Sequence, residues 1–248
     1  MTLIKTFLFL FSLSCIISGC NTKIDDFKID PEEYKFFPLK IGNTWKYKLD
    51  SIIYDNKGTI KKTVSNIIIE KITESFMDNE GETNYIIERT VFENGSVNNI
   101  NMLNAYINNN MAIRNEGNLK FIKLVFPVIK GKSWDGNALF DSQNTIIRIA
   151  GEPIKMYELW DYRYSETGNS VAIEGKEYKD VLSIIQTDTE NSIEKRYSYE
   201  EYAKGIGLIY KKMMILNTQK TDQASVPWEL KAEEGFILEQ KLLSFESK

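Results

Sequence analysis

Two cysteines, no histidine and four adjacent pairs of acids are the residues with which this 248-residue chain could do chemistry. Without histidine, imidazole triads and dyads are excluded, and with them the commonest neutral-pH general base. Carboxylates alone can run glycoside hydrolysis, so a carboxylate-only hydrolase stays open. The adjacent pairs, Asp25-Asp26, Glu32-Glu33, Glu200-Glu201 and Glu233-Glu234, do not form dyads by themselves, because neighbouring side chains on a strand point to opposite faces. No catalytic residue is assigned. Asp78-Asn79-Glu80-Gly81-Glu82 and Asp188-Thr189-Glu190-Asn191 gather oxygen ligands. Neither has the spacing of an EF-hand loop, and both fall where turns are expected, so no metal site is assigned. Gly205-Ile206-Gly207 lacks the third glycine and the following helix of a dinucleotide loop, and no cofactor is assigned.

Aromatic side chains offer a different chemistry. Trp160, Tyr162 and Tyr164 alternate, so on a strand they share one face. They read either as three core side chains or as an aromatic platform for a sugar ring or lipid, and Tyr197 and Tyr199 carry the same two readings. Asp50-Ser51-Ile52 resembles the Asp-Ser/Thr-aliphatic acceptor for O-glycosylation in Bacteroidetes, with Ser51 as the acceptor. Asn94-Gly95-Ser96 matches an N-glycosylation sequon but is better explained as a hairpin turn.

The cysteines, Cys15 and Cys20, belong to the N-terminal leader. Lys5 precedes an apolar stretch over 7–17 that is too short to span a bilayer, and small residues follow it. Ile17-Ser18-Gly19-Cys20 resembles the lipobox of bacterial lipoproteins, in which the cysteine is acylated and becomes the first residue of the mature chain. Cys15 is the weaker match, because Ser12 would occupy the aliphatic position. The expected organisation is a cleaved signal peptide over 1–19, a lipidated N-terminus and tether over 20–35, and one β domain over 36–248. The folded part then holds no thiol for a disulfide or catalysis. Its partner is the membrane, reached through acyl chains on Cys20. By resemblance to the enterobacterial sorting rule, Asn21 after the cysteine favours the outer membrane. Lys23, Asp25 and Asp26 resemble tracts that send lipoproteins to the cell surface, and they read equally as a solvated tether.

With 42% apolar, 12% aromatic and 27% charged residues the chain has enough apolar material to build a core and is not disordered. Its net charge of −4 leaves no basic excess to neutralise a phosphate backbone, which excludes nucleic acid as an expected partner. From Phe36 onward the hydrophobic pattern has period two. Trp45, Tyr47 and Leu49 alternate with Lys46, Lys48 and Asp50, and a β-branched run follows over 59–73. Further strands are expected over 84–93, 119–126, 145–150, 156–164, 171–174, 181–188, 192–199, 207–216 and 229–245, the last bent at Gly235. Asn94-Gly95 is the strongest hairpin signal. All five prolines fall between these segments. The expected fold is all-β and mostly antiparallel, a curved sheet or half-barrel with pseudo-halves over about 36–125 and 126–248; a β-sandwich is the alternative.

An internal echo supports the halves. Phe37-Pro38, Gly42 and Trp45 recur with the same spacing as Phe126-Pro127, Gly131 and Trp134. FPLKIGNTWKY at 37–47, GKEYKDVL at 175–182 and YAKGIGLIYKK at 202–212 resemble a group of Bacteroidetes-type lipoproteins of similar length, signal and motif order. That resemblance implies an envelope lipoprotein and a curved antiparallel sheet, and it brings no chemistry. The expected function is a non-enzymatic, lipid-anchored envelope protein that binds or scaffolds an envelope protein, lipid or glycan. The alternatives are a lipid or lipoprotein carrier, which needs an apolar cavity, and the hydrolase, which needs two facing acids in a cleft.

Overall fold

A computed structural model describes residues 29–55 and 57–248. The signal peptide, Cys15, Cys20, Asn21, Lys23, Asp25 and Asp26 lie outside the described residues. Period-two patterning becomes strands with little helix: β1 (Thr44–Asp55), β2 (Ile60–Met77), β3 (Thr83–Glu93), β4 (Ser96–Asn108), β5 (Met111–Glu116), β6 (Leu119–Val125), β7 (Ser133–Trp134), β8 (Ile147–Ile149), β9 (Glu152–Ile154), β10 (Tyr162–Ile173), β11 (Lys176–Glu190), β12 (Glu194–Ala203), β13 (Gly207–Asn217) and β14 (Glu234–Glu246), with one helical turn, α1 (Trp228–Lys231). Asn94 and Gly95 take positive φ values of 51° and 80°, which is what the tight β3–β4 hairpin demands.

Twelve of these strands form one antiparallel sheet in the order β6-β5-β4-β3-β2-β1-β14-β13-β12-β11-β10-β7, nearly closed into a barrel. The two halves meet where β14 pairs with β1, and β8–β9 is a separate small hairpin. The β-sandwich alternative is therefore replaced by a single curved sheet. Bulges in seven of the strand pairings, among them Lys46/Tyr47 and Glu201/Tyr202, bend and twist the strands enough for the sheet to curl. The strand expected over 229–245 begins only at Glu234, because Trp228–Lys231 forms the helical turn, and Gly235 at its start has φ of 106°. A Cβ there would collide with the Ile215 carbonyl across the sheet, so only glycine fits.

Curling brings the free edge of β6 to the other end of the sheet, where side chains satisfy it. The Tyr164 hydroxyl accepts from Val125 N–H at 3.0 Å and donates to Val125 C=O at 3.1 Å. Trp134 Nε1 donates to Ile122 C=O at 2.9 Å, and Ile122 N–H donates to Gly136 C=O at 2.8 Å. A Cβ on Gly136 would enter the Tyr162 ring, so the loop can close on this seam only with glycine.

Two further local expectations change. The tether was expected to run through residue 35, but Pro31–Phe36 is a 3-10 turn capped by Asp30, whose Oδ1 accepts from Glu32 N–H at 3.0 Å. It is held to the barrel because Glu33 Oε2 accepts from Val128 N–H at 2.9 Å and Tyr34 packs on Phe126 at 4.8 Å. The strand expected over 156–164 begins only at Tyr162. Leu159, with φ of 58°, breaks the extended backbone before it.

Candidate functional site

A strand that buries its inward side chains places every second residue inside the barrel. On β2 that phase reads Ile68, Glu70, Ile72; on β3, Ile87, Arg89, Val91; on β5, Ala112, Arg114, Glu116. On β6 it includes Phe121 and Lys123; on β12, Ser198, Glu200, Tyr202; on β13, Ile209, Lys211, Met213. Seven charged side chains at inward positions on six strands gather in the barrel interior, while Arg196, also on the inward phase of β12, pairs with Glu194 at 3.0 Å. Unpaired, each would be very costly to bury, so they are found paired.

Two linked clusters result. Glu70 Oε1 accepts from Arg89 Nε and from Arg114 Nη2, each at 2.7 Å. Glu116 faces the same arginines, with Oε1 3.0 Å from Arg114 Nε and Oε2 3.8 Å from Arg89 Nη1. In the second cluster, Glu200 Oε1 accepts from Lys123 Nζ at 2.6 Å, and Lys211 Nζ stands 3.3 Å away. Glu200 Oε2 accepts from the Tyr202 hydroxyl at 2.8 Å. Burial alone would raise the carboxyl pKa of Glu200, but Lys123 and Lys211 overcome it and hold it at about 2. Burial likewise opposes ionisation of Glu70 and Glu116, and the two arginines overcome it, so both sit below the usual carboxylate range. Burial depresses the Lys123 ammonium, with Glu200 opposing that effect.

Beside these clusters lies a chamber of about 250 Å³, lined by charged Glu116, Lys123 and Lys211 and by apolar Met156, Met213 and Phe236. A loop over 135–161 covers it: Ile147 and Ile149 of the β8–β9 hairpin, Tyr157 and Trp160 complete the wall. The aromatic side is continuous, from Phe121 to Tyr157 at 5.5 Å, to Trp160 at 5.2 Å, and on to Tyr162 at 6.1 Å.

Of the residues singled out in the sequence, Trp160, Tyr162 and Tyr164 share one buried cluster at 7%, 1% and 0% exposure, so they are core side chains rather than an exposed platform. Trp160 and Tyr162 nevertheless reach the chamber wall. Tyr197 and Tyr199 stack at 6.5 Å on the outer face, half-buried. Ser51 is half-buried in the middle of β1, between Val64 of β2 and Leu238 of β14. Glu200 and Glu201 point to opposite faces as alternation requires, Glu201 accepting from the Tyr199 hydroxyl at 2.6 Å. Asp78 is a turn cap: Oδ1 accepts from Glu80 and Glu82 N–H and Oδ2 from Asn84. Sequence reading singled out Glu200 only as one of an acid pair and missed its partners and the other inward charges. Their signal was available: a charged residue in the apolar phase of an alternating strand.

No family model and no curated protein matches this chain. Among solved structures, one from Bacteroides fragilis, described as an exported protein with a YmcC-like fold, is similar with a TM-score of 0.45 and 13% identity, covering 85% of this chain and 98% of that one. A second, described as a lipoprotein of Parabacteroides distasonis, is similar with a TM-score of 0.41 and 13% identity, over the same shares of the two chains.

Proposed function

We propose that this chain is a lipid-anchored envelope protein, held in the outer membrane by acyl chains on Cys20, that binds a small molecule inside its barrel without transforming it. The observation that carries the binding reading is the chamber of about 250 Å³, walled by a continuous aromatic surface on one side and by charged side chains on the other. Ligand sites combine apolar walls with a few convergent polar groups; this chamber has both, with charged and polar side chains making up about half of its lining. At about 30 Å³ per water molecule the space equals roughly eight waters, which suits a ligand of that many heavy atoms and is too small for a diacyl lipid. A carboxylate-only hydrolase needs one carboxyl raised far enough to stay protonated as the acid. Glu70, Glu116 and Glu200, inside the barrel, are all shifted the other way; Glu201, raised by burial, lies on the opposite face against Tyr199.

Two measurements test the reading. Incorporation of labelled fatty acid should be lost in Cys20→Ser and retained in Cys15→Ser; equal labelling of both variants would refute the anchor. A library of molecules of roughly eight to ten heavy atoms should contain members that raise the thermal midpoint saturably, as linkage requires. That rise should vanish in Met213→Trp, which fills the chamber. A rise that survives the filling substitution would place binding elsewhere.

A further inference from the structure

The chamber's chemistry is one-sided, and this deepens the binding reading on which it rests. The inward ion clusters hold four cations, Arg89, Arg114, Lys123 and Lys211, against three carboxylates, Glu70, Glu116 and Glu200. One positive charge is left over. The geometry shows where: Glu200 Oε1 already accepts the short bond from Lys123 at 2.6 Å, while Lys211 stands at 3.3 Å from the same oxygen and keeps part of its side chain open at the chamber wall. Glu116 also lines the chamber, but its one charge is set against two guanidinium groups, Oε1 at 3.0 Å from Arg114 Nε and Oε2 at the longer 3.8 Å from Arg89 Nη1.

The neutral polar groups point the same way. Among the chamber-lining residues two buried polar side-chain atoms have no partner, Trp160 Nε1 and Gln186 Nε2, and both are hydrogen-bond donors. The other end of the Gln186 amide is taken, its Oε1 accepting from Ser198 Oγ at 2.7 Å. No unpartnered buried acceptor lies among the described residues that line the chamber. Unpaired buried donors are costly, and a ligand acceptor reaching them would remove that cost.

We propose that the chamber takes a small organic monoanion, a carboxylate on an apolar body, with Lys211 as its charge partner and Trp160 and Gln186 as its N–H donors. The surplus of one charge selects a monoanion over a dianion. Tyr157, Met213 and Phe236 give the apolar body its contact surface.

The test is titration calorimetry on the lipidated protein in nanodiscs, with benzoate and hexanoate as probes against benzamide, benzylamine and phthalate. Benzoate or hexanoate is expected to bind at least tenfold more tightly than the neutral, cationic and dianionic probes. Lys211→Met should lower that affinity at least tenfold, and Lys211→Arg, which keeps the charge, should restore most of it. Trp160→Phe, which keeps an aromatic ring but not the N–H donor, should weaken binding by a smaller factor. Benzamide binding as tightly as benzoate, with Lys211→Met without effect, would overturn the monoanion while leaving chamber binding intact. If only neutral library members bind in a Met213→Trp-sensitive way, the proposal fails and the chamber reading stands. If nothing binds in the chamber in either experiment, both fail.

Discussion

Trp45→Ala is expected to lower stability by about 3–5 kcal/mol, the usual cost of deleting a buried indole, and so to remove a large share of a domain's net 5–15 kcal/mol. Trp45 is 7% exposed, packs on Phe245 at 5.4 Å and donates its indole N–H to Ile206 C=O at 2.6 Å. It therefore ties the first strand to the turn before β13 in the second half, and its loss leaves both a cavity and an unpaired carbonyl. Trp134 does the equivalent work at the seam, donating to Ile122 C=O and packing on Tyr164 at 4.7 Å. It is only partly buried, so Trp134→Ala should cost less than Trp45→Ala while loosening the closure of β6. Denaturant midpoints measured at constant m-value check both. Unchanged midpoints would mean that the repeated Phe-Pro, Gly and Trp spacing does not anchor the core. Trp160→Ala also belongs among the destabilising changes, because its ring is packed between Tyr157 and Tyr162 rather than displayed.

The second large effect concerns Glu200. Its carboxyl is fully enclosed, and Lys123 and Lys211 hold it at about 2, below its ordinary 4.5, so its ionised form stabilises the fold at neutral pH. A carboxyl depressed on folding stabilises above its unfolded pKa, and that contribution is lost as pH falls through the folded value. Stability should therefore drop between about pH 4.5 and pH 2, with Glu70 and Glu116, lowered by their arginines, adding to the same acid limb. Glu200→Leu strands Lys123 in the interior and should cost about 3–5 kcal/mol at pH 7. Adding Lys123→Met should recover most of that loss, because an apolar pair needs no ionic compensation. A double variant no more stable than Glu200→Leu would show that the pair is not the unit that matters. An acid limb unchanged in Glu200→Leu would show the same of the titration.

Much of this molecule is local, and what is local is legible. Period-two alternation announced β1 through Trp45, Tyr47 and Lys46, and Asn94-Gly95 announced the hairpin, because pleat and turn depend only on neighbouring residues. Alternation also dictated that Glu200 and Glu201 face opposite ways, which they do. Where the reading slipped, a local signal was overridden by packing. Pro31–Phe36 looked like tether because a 3-10 turn has no sustained period, yet Tyr34 and Glu33 find partners near Phe126 and Val128. Trp160 looked like a strand residue because it keeps the alternating phase of Tyr162 and Tyr164 outside the strand itself.

Sequence alone determined that the chain makes half-buried strands, where they turn, and that no imidazole chemistry is possible. Only the tertiary structure decided that one sheet curls until its ends approach, and that this curl carries Lys123 to Glu200 across 77 positions of sequence. The physical reason is that a period-two pattern says which side chains share a face but not which strand lies across the interior. That choice depends on the summed twist of twelve strands and their bulges, a property of no single segment. The chamber, its surplus charge and its unpartnered donors exist only once that closure has been made.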